Sequence, residues 1–248
     1  KEFATAAPTV DKKVLDEAKQ LAQTRIEAAL NDPVNPWHEA TGEQIKNEVI
    51  AQFAEQLTAQ QVSGIFDKAA KEIMNDTVLN KGKRVDGRAM DQVRDINIET
   101  GLLPRVHGSS VFSRGDTQVM SITTLGPLSA SQIMEGMEGE AQKHFMHHYN
   151  MSINPFSTGE PKRLGSPNRR DVGHGDLVER SFIRVLPDQD KFPYAIRSVS
   201  EILAANASTS MASVCATTLS LLNAGVPVEP VAGIALGLLS KDDEHSSG

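Results

Sequence analysis

Three consecutive hydroxyl residues, Ser208, Thr209 and Ser210, stand between an apolar run and a second segment rich in small and apolar residues. Ser and Thr are preferred where a helix begins, and there the first N–H groups are unpaired and the helix dipole is positive. Two interpretations therefore stay open for this stretch. It is either an ordinary helix N-cap or a phosphate-sized cradle of hydroxyl and amide groups.

A second stretch, residues 165–177, combines two adjacent arginines with a histidine between two glycines. Arg169 and Arg170 just ahead of a predicted helix offer planar, permanently charged groups that suit phosphate oxygens. His174 can donate to a phosphate or transfer a proton, and the glycines permit close backbone approach. An arginine pair alone is also typical of a solvated surface. Two anion-type stretches in one chain favour a polyphosphate or a nucleic-acid backbone as the ligand.

Four other residues are weaker site candidates. His147 and His148 are neighbours on a predicted strand, so they face opposite sides and do not favour a joint metal site. His107 and Arg114 either line the site or hold turns, and we favour turns.

Acidic residues and the single cysteine add no site of their own. Glu135, Glu138 and Glu140 are expected on a solvated acidic face, and Cys215 is expected in the core rather than as a nucleophile. No pair of acids suited to Mg²⁺ stands on one rigid element, so we assign no metal ligand.

The first part of the chain, residues 1–80, is predicted to be a small all-α domain. Apolar residues recur at helical spacing over 14–26 and again behind two pairs with capping-box spacing, Thr41–Gln44 and Thr58–Gln61. Three or four helices packing on one another are a simpler explanation of these stripes than a partner-binding module.

After a linker rich in Lys, Arg and Gly, the apolar pattern changes from helical spacing to the alternation typical of strands. Residues 81–240 are therefore predicted to form a mixed α/β domain of the α+β class. Residues 241–248 are expected to be a flexible tail. Strands are predicted at 93–100, 109–115, 117–126, 144–153 and 192–203, helices at 174–186 and 208–225, and a buried strand at 230–240.

Composition excludes several classes of protein. The 248 residues carry a formal net charge of −7, which argues against a general nucleic-acid coat. One cysteine excludes an internal disulfide and is typical of a reducing cytoplasm. No 18-residue apolar stretch predicts a membrane span, and no signal-peptide pattern opens the sequence.

Eight motifs, in this order, resemble the polynucleotide phosphorylase family, and in particular its second RNase PH-like core domain. They are KRVDGR, GLLPRVHGSSVFSRGDTQ, HHYN, FSTGE, GSPNRRDVGHGDL, FPYAIRSVSEIL, STSMASVC and NAGVPVEPVAGIALGL. The resemblance covers about residues 81–240 and implies an RNase PH-like, ribosomal protein S5 domain 2-like fold. Residues 1–80 are similar in position and texture to the family's all-helical segment between two core domains.

This resemblance implies a phosphorolytic 3′→5′ exoribonuclease, a polyribonucleotide nucleotidyltransferase of mRNA degradation. Inorganic phosphate attacks the end of single-stranded RNA and releases a nucleoside diphosphate. The resemblance also implies Mg²⁺ or Mn²⁺, a homotrimeric ring, degradosome-type protein partners and a cytoplasmic location. By motif, it places phosphate binding on Ser208, Thr209 and Ser210 and the RNA end at Arg169, Arg170 and His174.

Three departures from the family pattern bear on activity. Ala207 stands where glycine usually follows the Asn of the phosphate loop, and the spacing between the HYN and GE elements is longer than usual. The family's metal-holding acids do not follow GIALGL, and Asp242 and Asp243 do not match their context. Metal ligands are therefore expected outside this chain, which alone is expected to be weak or inactive. The rival hypotheses are a non-catalytic structural or RNA-guiding ring subunit and a small-molecule phosphate enzyme.

Overall fold

A computed structural model describes residues 11–32, 37, 39–137, 139–151 and 167–239. They fall into two compact units. The first runs to Gln92 and also includes 237–239, and the second spans Val93–Leu236. None of the helices in these described ranges is both long and apolar enough to cross a membrane.

The first unit is helical, as the apolar periodicity predicts. Its described helices are α1 (Lys12–Leu30), α2 (Glu39–Gln52) and α3 (Ala59–Leu79). Aliphatic and aromatic side chains from all three helices form one core. Its buried members are Ala18, Ala22, Ile26, Ile45, Val49, Phe53, Leu57, Val62, Phe66, Ala69 and Ile73.

One of the two predicted capping boxes is confirmed. Thr58 accepts a hydrogen bond from the Gln61 N–H, and the Gln61 side chain accepts from the Thr58 N–H, before α3. The prediction for Thr41 is wrong because α2 begins at Glu39. The N–H of Gln44 therefore lies inside the helical hydrogen-bond ladder and needs no side-chain cap.

The described strands of the second unit are β1 Ile96–Thr100, β2 Gly108–Arg114, β3 Thr117–Gly126, β4 Gln132–Gly136, β5 Gly139–Lys143, β6 Phe145–Asn150 and β7 Ala195–Ala204. Five of them form a mixed sheet in the order β1-β2-β3-β7-β6. Its neighbours are antiparallel except β6 and β7, which run parallel. The early strands are therefore antiparallel, as predicted, and a separate β4–β5 hairpin was not predicted.

Two α-helices of the described residues, α4 (Arg169–Phe182) and α5 (Thr209–Asn223), pack on this sheet. Helix α4 contacts β6, and α5 contacts β2, β3 and β7. Gly108 allows the closest approach, because a Cβ at this position would collide with the Ser220 carbonyl and lie 2.7 Å from the Ala224 N. Helix α5 therefore sits against the sheet at backbone distance.

Small and hydroxylated side chains fill the space between α5 and the sheet. Ala212, Ser213 and Ala216 are fully buried, so their small side chains let α5 pack closely on the sheet. The Ser220 hydroxyl lies 2.8 Å from both the Ser121 and the Thr123 hydroxyls. These buried polar groups are satisfied by one another and need no water.

The predicted buried strand at 230–240 is wrong for the described residues, which end at 239. Ile234, Leu236 and Leu238 are 66%, 87% and 93% exposed, and no ladder pairs this segment within the described chain. Its backbone is tied to α5 at Val231, whose carbonyl accepts from the Thr218 hydroxyl. A strand needs a neighbouring strand for its N–H and C=O groups, and none of the described strands lies beside this segment.

Candidate anion-binding and active site

Helix α5 begins from a backbone conformation that is unusual for residues with a Cβ. Ala207 and Ser208 have φ values of 60° and 55°, in the left-handed region. Ser208 occupies the N-cap position, but its side chain makes no capping hydrogen bond. An ordinary hydroxyl cap therefore does not describe this helix start.

The amides at this helix start are open. The first N–H with a backbone acceptor is that of Ala212, which donates to the Ser208 carbonyl at 3.1 Å. No group in the described part of the chain accepts from the N–H groups of residues 207–211. A row of unpaired N–H groups at the positive end of a helix is a ready site for an anion.

The start of α4 carries the two arginines. The Asn168 side chain caps the helix by accepting from the Asp171 N–H at 2.8 Å. Arg169 and Arg170 are therefore the first two residues of α4, five residues before the predicted start, because Asn168 supplies a cap that the sequence reading missed. Both are exposed, and among the described residues no carboxylate forms an ion pair with either guanidinium.

Tyr149 on β6 joins the two helix starts. Its side chain is 4% exposed, and its hydroxyl lies 2.6 Å from the Thr209 hydroxyl at the first residue of α5. Its ring packs edge-on against the His174 imidazole of α4, with ring centroids 5.0 Å apart. The structure thus brings Thr209 and His174 into contact with a single side chain.

Sequence reasoning missed the role of Tyr149, which it read only as part of the HHYN motif. The alternation of β6 was the available clue, because Phe145, His147 and Tyr149 share the buried face of the strand. No local sequence pattern indicates the contact with Thr209, which lies sixty residues later in the chain.

The electrostatics of this cluster keep its two titratable rings neutral. Burial lowers the pKa of His174, the charge of Arg170 lowers it further, and Asp171 partly opposes this. Burial raises the pKa of the Tyr149 phenol, so its hydroxyl stays protonated. The His174 Nδ1 is buried without a hydrogen-bond partner among the described residues. A neutral imidazole near the exposed Arg170 guanidinium can exchange a hydrogen bond or a proton with a bound anion.

Comparison with known families decides the relationship of the chain. The family described as RNase PH (3′ exoribonuclease family, domain 1) matches residues 92–227, more than half of the chain. The chain belongs to the RNase PH family. A second description, the RNA-binding domain of polyribonucleotide nucleotidyltransferase, matches residues 13–89. The expected fold class, an all-α region followed by an α+β RNase PH domain, is confirmed.

Individual relatives agree with this assignment. The polyribonucleotide nucleotidyltransferase of Chloroflexus aurantiacus is 47% identical over 244 residues, which cover 95% of this chain and 32% of that protein. The corresponding protein of Roseiflexus castenholzii is 45% identical over 251 residues, covering 98% and 33%. The chain therefore spans about a third of the length of the curated relatives it matches.

A solved structure is also similar to the chain. It is a chain of the Archaeoglobus fulgidus exosome with RNA bound to the active site, 19% identical with a TM-score of 0.48. The match covers 64% of this chain and 68% of that chain.

The RNase PH domain holds its other candidate residues in structural roles. His147 is buried and His148 is exposed, which confirms that they face opposite sides. Burial lowers the pKa of His147 to about 3, and its Nε2 lies 3.0 Å from the Ser200 hydroxyl. His107 accepts from the Leu125 N–H, and Arg114 binds the loop before α5.

The remaining predicted positions are not gathered at the helix starts. Glu135 and Glu140 are exposed on the β4–β5 hairpin, and Glu138 lies outside the described residues. Cys215 is half-buried on α5, where its thiol faces the backbone of Gly233. Gly175 packs against β6, whereas a Cβ at Gly173 would meet open space.

The described residues do not fit a metal site. They contain no group of three His, Cys, Asp or Glu side chains arranged to hold an ion. We therefore derive no chemical step through a metal from these residues. The FSTGE segment with its longer spacing, and the acids Asp242 and Asp243, lie outside the described ranges.

Proposed function

We propose that this chain forms the phosphate-binding and RNA-end-binding part of a phosphorolytic 3′→5′ exoribonuclease. The curated relatives, polyribonucleotide nucleotidyltransferases, support the reaction class, and they are about three times as long as this chain. In this reaction a phosphate oxygen attacks the phosphorus of the terminal phosphodiester. The bond to the 3′-oxygen of the preceding nucleotide breaks, that oxygen takes a proton, and a nucleoside diphosphate leaves.

One observation carries the proposal: Tyr149 contacts both Thr209 and His174. The open amide row of α5, through Thr209, and helix α4, through His174, therefore both adjoin Tyr149. Either helix start alone is a common structural feature. The shared contact with Tyr149 and the exposed Arg169 and Arg170, which pair with no carboxylate of the described chain, favour a negatively charged substrate.

Each predicted residue has a distinct part in this proposal. The N–H groups of residues 207–211 hold the phosphate, assisted by the half-buried hydroxyls of Ser208 and Ser210. Thr209 contributes its N–H, because its side chain is buried and bonded to Tyr149.

Arg169 and Arg170 neutralise the charge that accumulates when phosphate approaches the phosphodiester. His174, held neutral, exchanges a hydrogen bond with the reacting oxygens. Catalysis by this arrangement is mainly positioning and charge stabilisation.

The wider context of the reaction is part of the same proposal. Mg²⁺ or Mn²⁺ is held by residues outside this chain, and the substrate is the 3′ end of single-stranded RNA. The chain acts in a homotrimeric ring in the cytoplasm, with degradosome-type protein partners. Residues 1–80 form the linker domain and 81–240 the core domain.

The test places this chain in a whole enzyme. The matching third of the Chloroflexus aurantiacus relative is replaced by this chain, and ADP release from poly(A) is measured with phosphate and Mg²⁺. We expect phosphate-dependent release, about tenfold weaker after Arg170→Met and unchanged after Arg180→Met. Arg180 is a suitable control because it pairs with Asp176 in an exposed i,i+4 bridge. A folded chimera that releases no ADP would overturn the enzymatic proposal.

The rival, a non-catalytic RNA-guiding ring subunit, is favoured by Ala207. This residue holds a left-handed φ of 60° at a position where the resemblance implies glycine. RNA binding by the chimera with neither phosphate binding nor ADP release would support the rival. Competition by mononucleotides as effective as by poly(A) would instead favour a small-molecule phosphate enzyme.

A further inference from the structure

Arg114 and Thr117, which flank the turn between β2 and β3, form hydrogen bonds to the carbonyl groups of the loop before α5. Arg114 donates through Nη2 to the carbonyls of Ala207 and Ser208, at 3.1 and 3.2 Å. The Thr117 hydroxyl lies 2.8 Å from the Asn206 carbonyl and 3.1 Å from that of Ala207, and it accepts from the Asn206 N–H at 3.2 Å. Both side chains are buried, at 8% and 0% exposure.

Fixing these carbonyls also fixes the amides. In a planar trans peptide the C=O and the following N–H point in opposite directions. With the carbonyls of residues 206–208 turned toward Arg114 and Thr117, the N–H groups of residues 207–209 are directed away from them. These are members of the open amide row described above. Arg114 and Thr117, which we call the clamp, therefore orient the groups that would meet an anion.

The clamp also explains how two residues with a Cβ remain in the left-handed region. Ala207 and Ser208 disfavour φ values of 60° and 55°, and such a conformation persists only where surrounding contacts impose it. A charged guanidinium that binds two successive carbonyls is a contact of that kind, because its hydrogen bonds are charge-assisted. Glycine at position 207 would need less support.

We propose that Arg114, together with Thr117, is a positioning residue that holds the amides of residues 207–209 toward the substrate phosphate. This inference rests on the proposed function, because it takes phosphate as the ligand of the amide row. Arg114 does not itself meet the phosphate. It acts through the loop backbone, and its role is greatest where residue 207 is not glycine.

The test uses the whole 248-residue chain with inorganic phosphate as the probe, followed by ¹H–¹⁵N NMR. In the wild-type chain, phosphate is expected to shift the amide signals of residues 207–211. Arg114→Met should weaken phosphate binding about tenfold, and Thr117→Val should weaken it less. Adding Ala207→Gly to Arg114→Met should recover at least part of the affinity. Arg180→Met serves as the matched control and should bind like the wild type.

Each outcome separates the inference from the proposed function. If phosphate shifts no signal near residues 207–211 of the wild-type chain, the proposed function fails and the inference fails with it. If the wild type binds but Arg114→Met and Thr117→Val bind equally well, only the inference is overturned. A loss of binding that Ala207→Gly does not relieve would mean that Arg114 acts on general stability. If Arg114→Met does not fold, phosphate binding is compared between Thr117→Val alone and Thr117→Val combined with Ala207→Gly. Recovery of affinity in the double variant supports the inference, and no recovery overturns it.

Discussion

The two units of this chain differ in the kinds of side chain that they bury. The described core of the helical unit is entirely aliphatic or aromatic. Every buried polar or charged side chain of the described residues lies between Ser109 and Ser220, in the sheet unit. Burying such groups is costly unless each has a partner. The sheet unit therefore depends on partners for its buried polar groups, and two of them, Arg114 and Thr117, bind the loop before α5.

The same contrast appears where helices begin. Thr58 and Ser208 are both hydroxyl residues at an N-cap position. Thr58 has an extended backbone and closes its own helix start through the capping box with Gln61. Ser208 has a left-handed backbone and leaves its helix start open. Residue type alone thus does not distinguish a cap from a binding site, because the backbone conformation decides where the hydroxyl points.

The largest expected effect compares a glycine in each unit. Gly108→Ala should lower the free energy of unfolding by about 3 kcal/mol, because the new methyl group collides with the backbone of α5. Gly64→Ala in α3 meets no atom within 4 Å and should raise stability by about 0.5–1 kcal/mol. Urea unfolding followed by circular dichroism measures both. Equal effects of the two substitutions would contradict the close packing of α5 on β2.

A second test concerns the two exposed arginines at the start of α4. Arg170→Met should reduce the affinity of the chain for phosphate about tenfold, with little change in stability. The reason is that Arg170 is exposed and makes no ion pair with a described carboxylate, so its removal leaves no buried charge unpaired. Calorimetric titration with phosphate measures the change, and Arg180→Met is its control. An unaltered affinity for phosphate after Arg170→Met would mean that Arg170 does not take part in the phosphate site at the amide row.

A third test uses the buried histidine of the sheet unit. Burial lowers the folded pKa of His147 from 6.5 to about 3, with a smaller contribution from His148. The native ring stays neutral while the unfolded ring gains a proton below 6.5. Stability is therefore fully present above that pH and falls by about 1.4 kcal/mol per pH unit toward the folded pKa.

His147→Gln keeps a partner for the Ser200 hydroxyl but cannot titrate in this range. Between pH 7.5 and 5.5, urea unfolding of the wild-type chain should lose more stability than that of His147→Gln. Every other titratable group is common to both proteins. Parallel pH profiles would show that the ring of His147 is not buried as a neutral group.

The smallest expected effect compares the two hydroxyl N-caps directly. Thr58→Ala should cost about 1 kcal/mol of stability through loss of the capping box. Ser208→Ala should change stability by less than about 0.5 kcal/mol, because its side chain makes no cap, but it should weaken phosphate binding. Thermal unfolding and phosphate titration of both variants test this. A Ser208→Ala variant destabilised as much as Thr58→Ala would mean that Ser208 caps α5 after all.

Local pattern predicted much of the fold. The period of the apolar residues located α1 and α3, and alternation located β3, which runs from Thr117 to Gly126 as predicted. The start of α4 was misplaced because Asn168 was not recognised as its cap. The strand expected at 230–240 depends on a neighbouring strand, which its own residues do not specify.

The sequence by itself determined the residue types available for binding an anion, the family, and the helices whose side chains close their own ends. Only the tertiary structure decided that Tyr149 meets Thr209 and that Arg114 turns the loop carbonyls of Ala207 and Ser208. The physical reason is range. Propensity and capping act between residues a few positions apart, whereas Arg114 reaches Ala207 across 93 positions, and a contact of that kind exists only after the strands have paired.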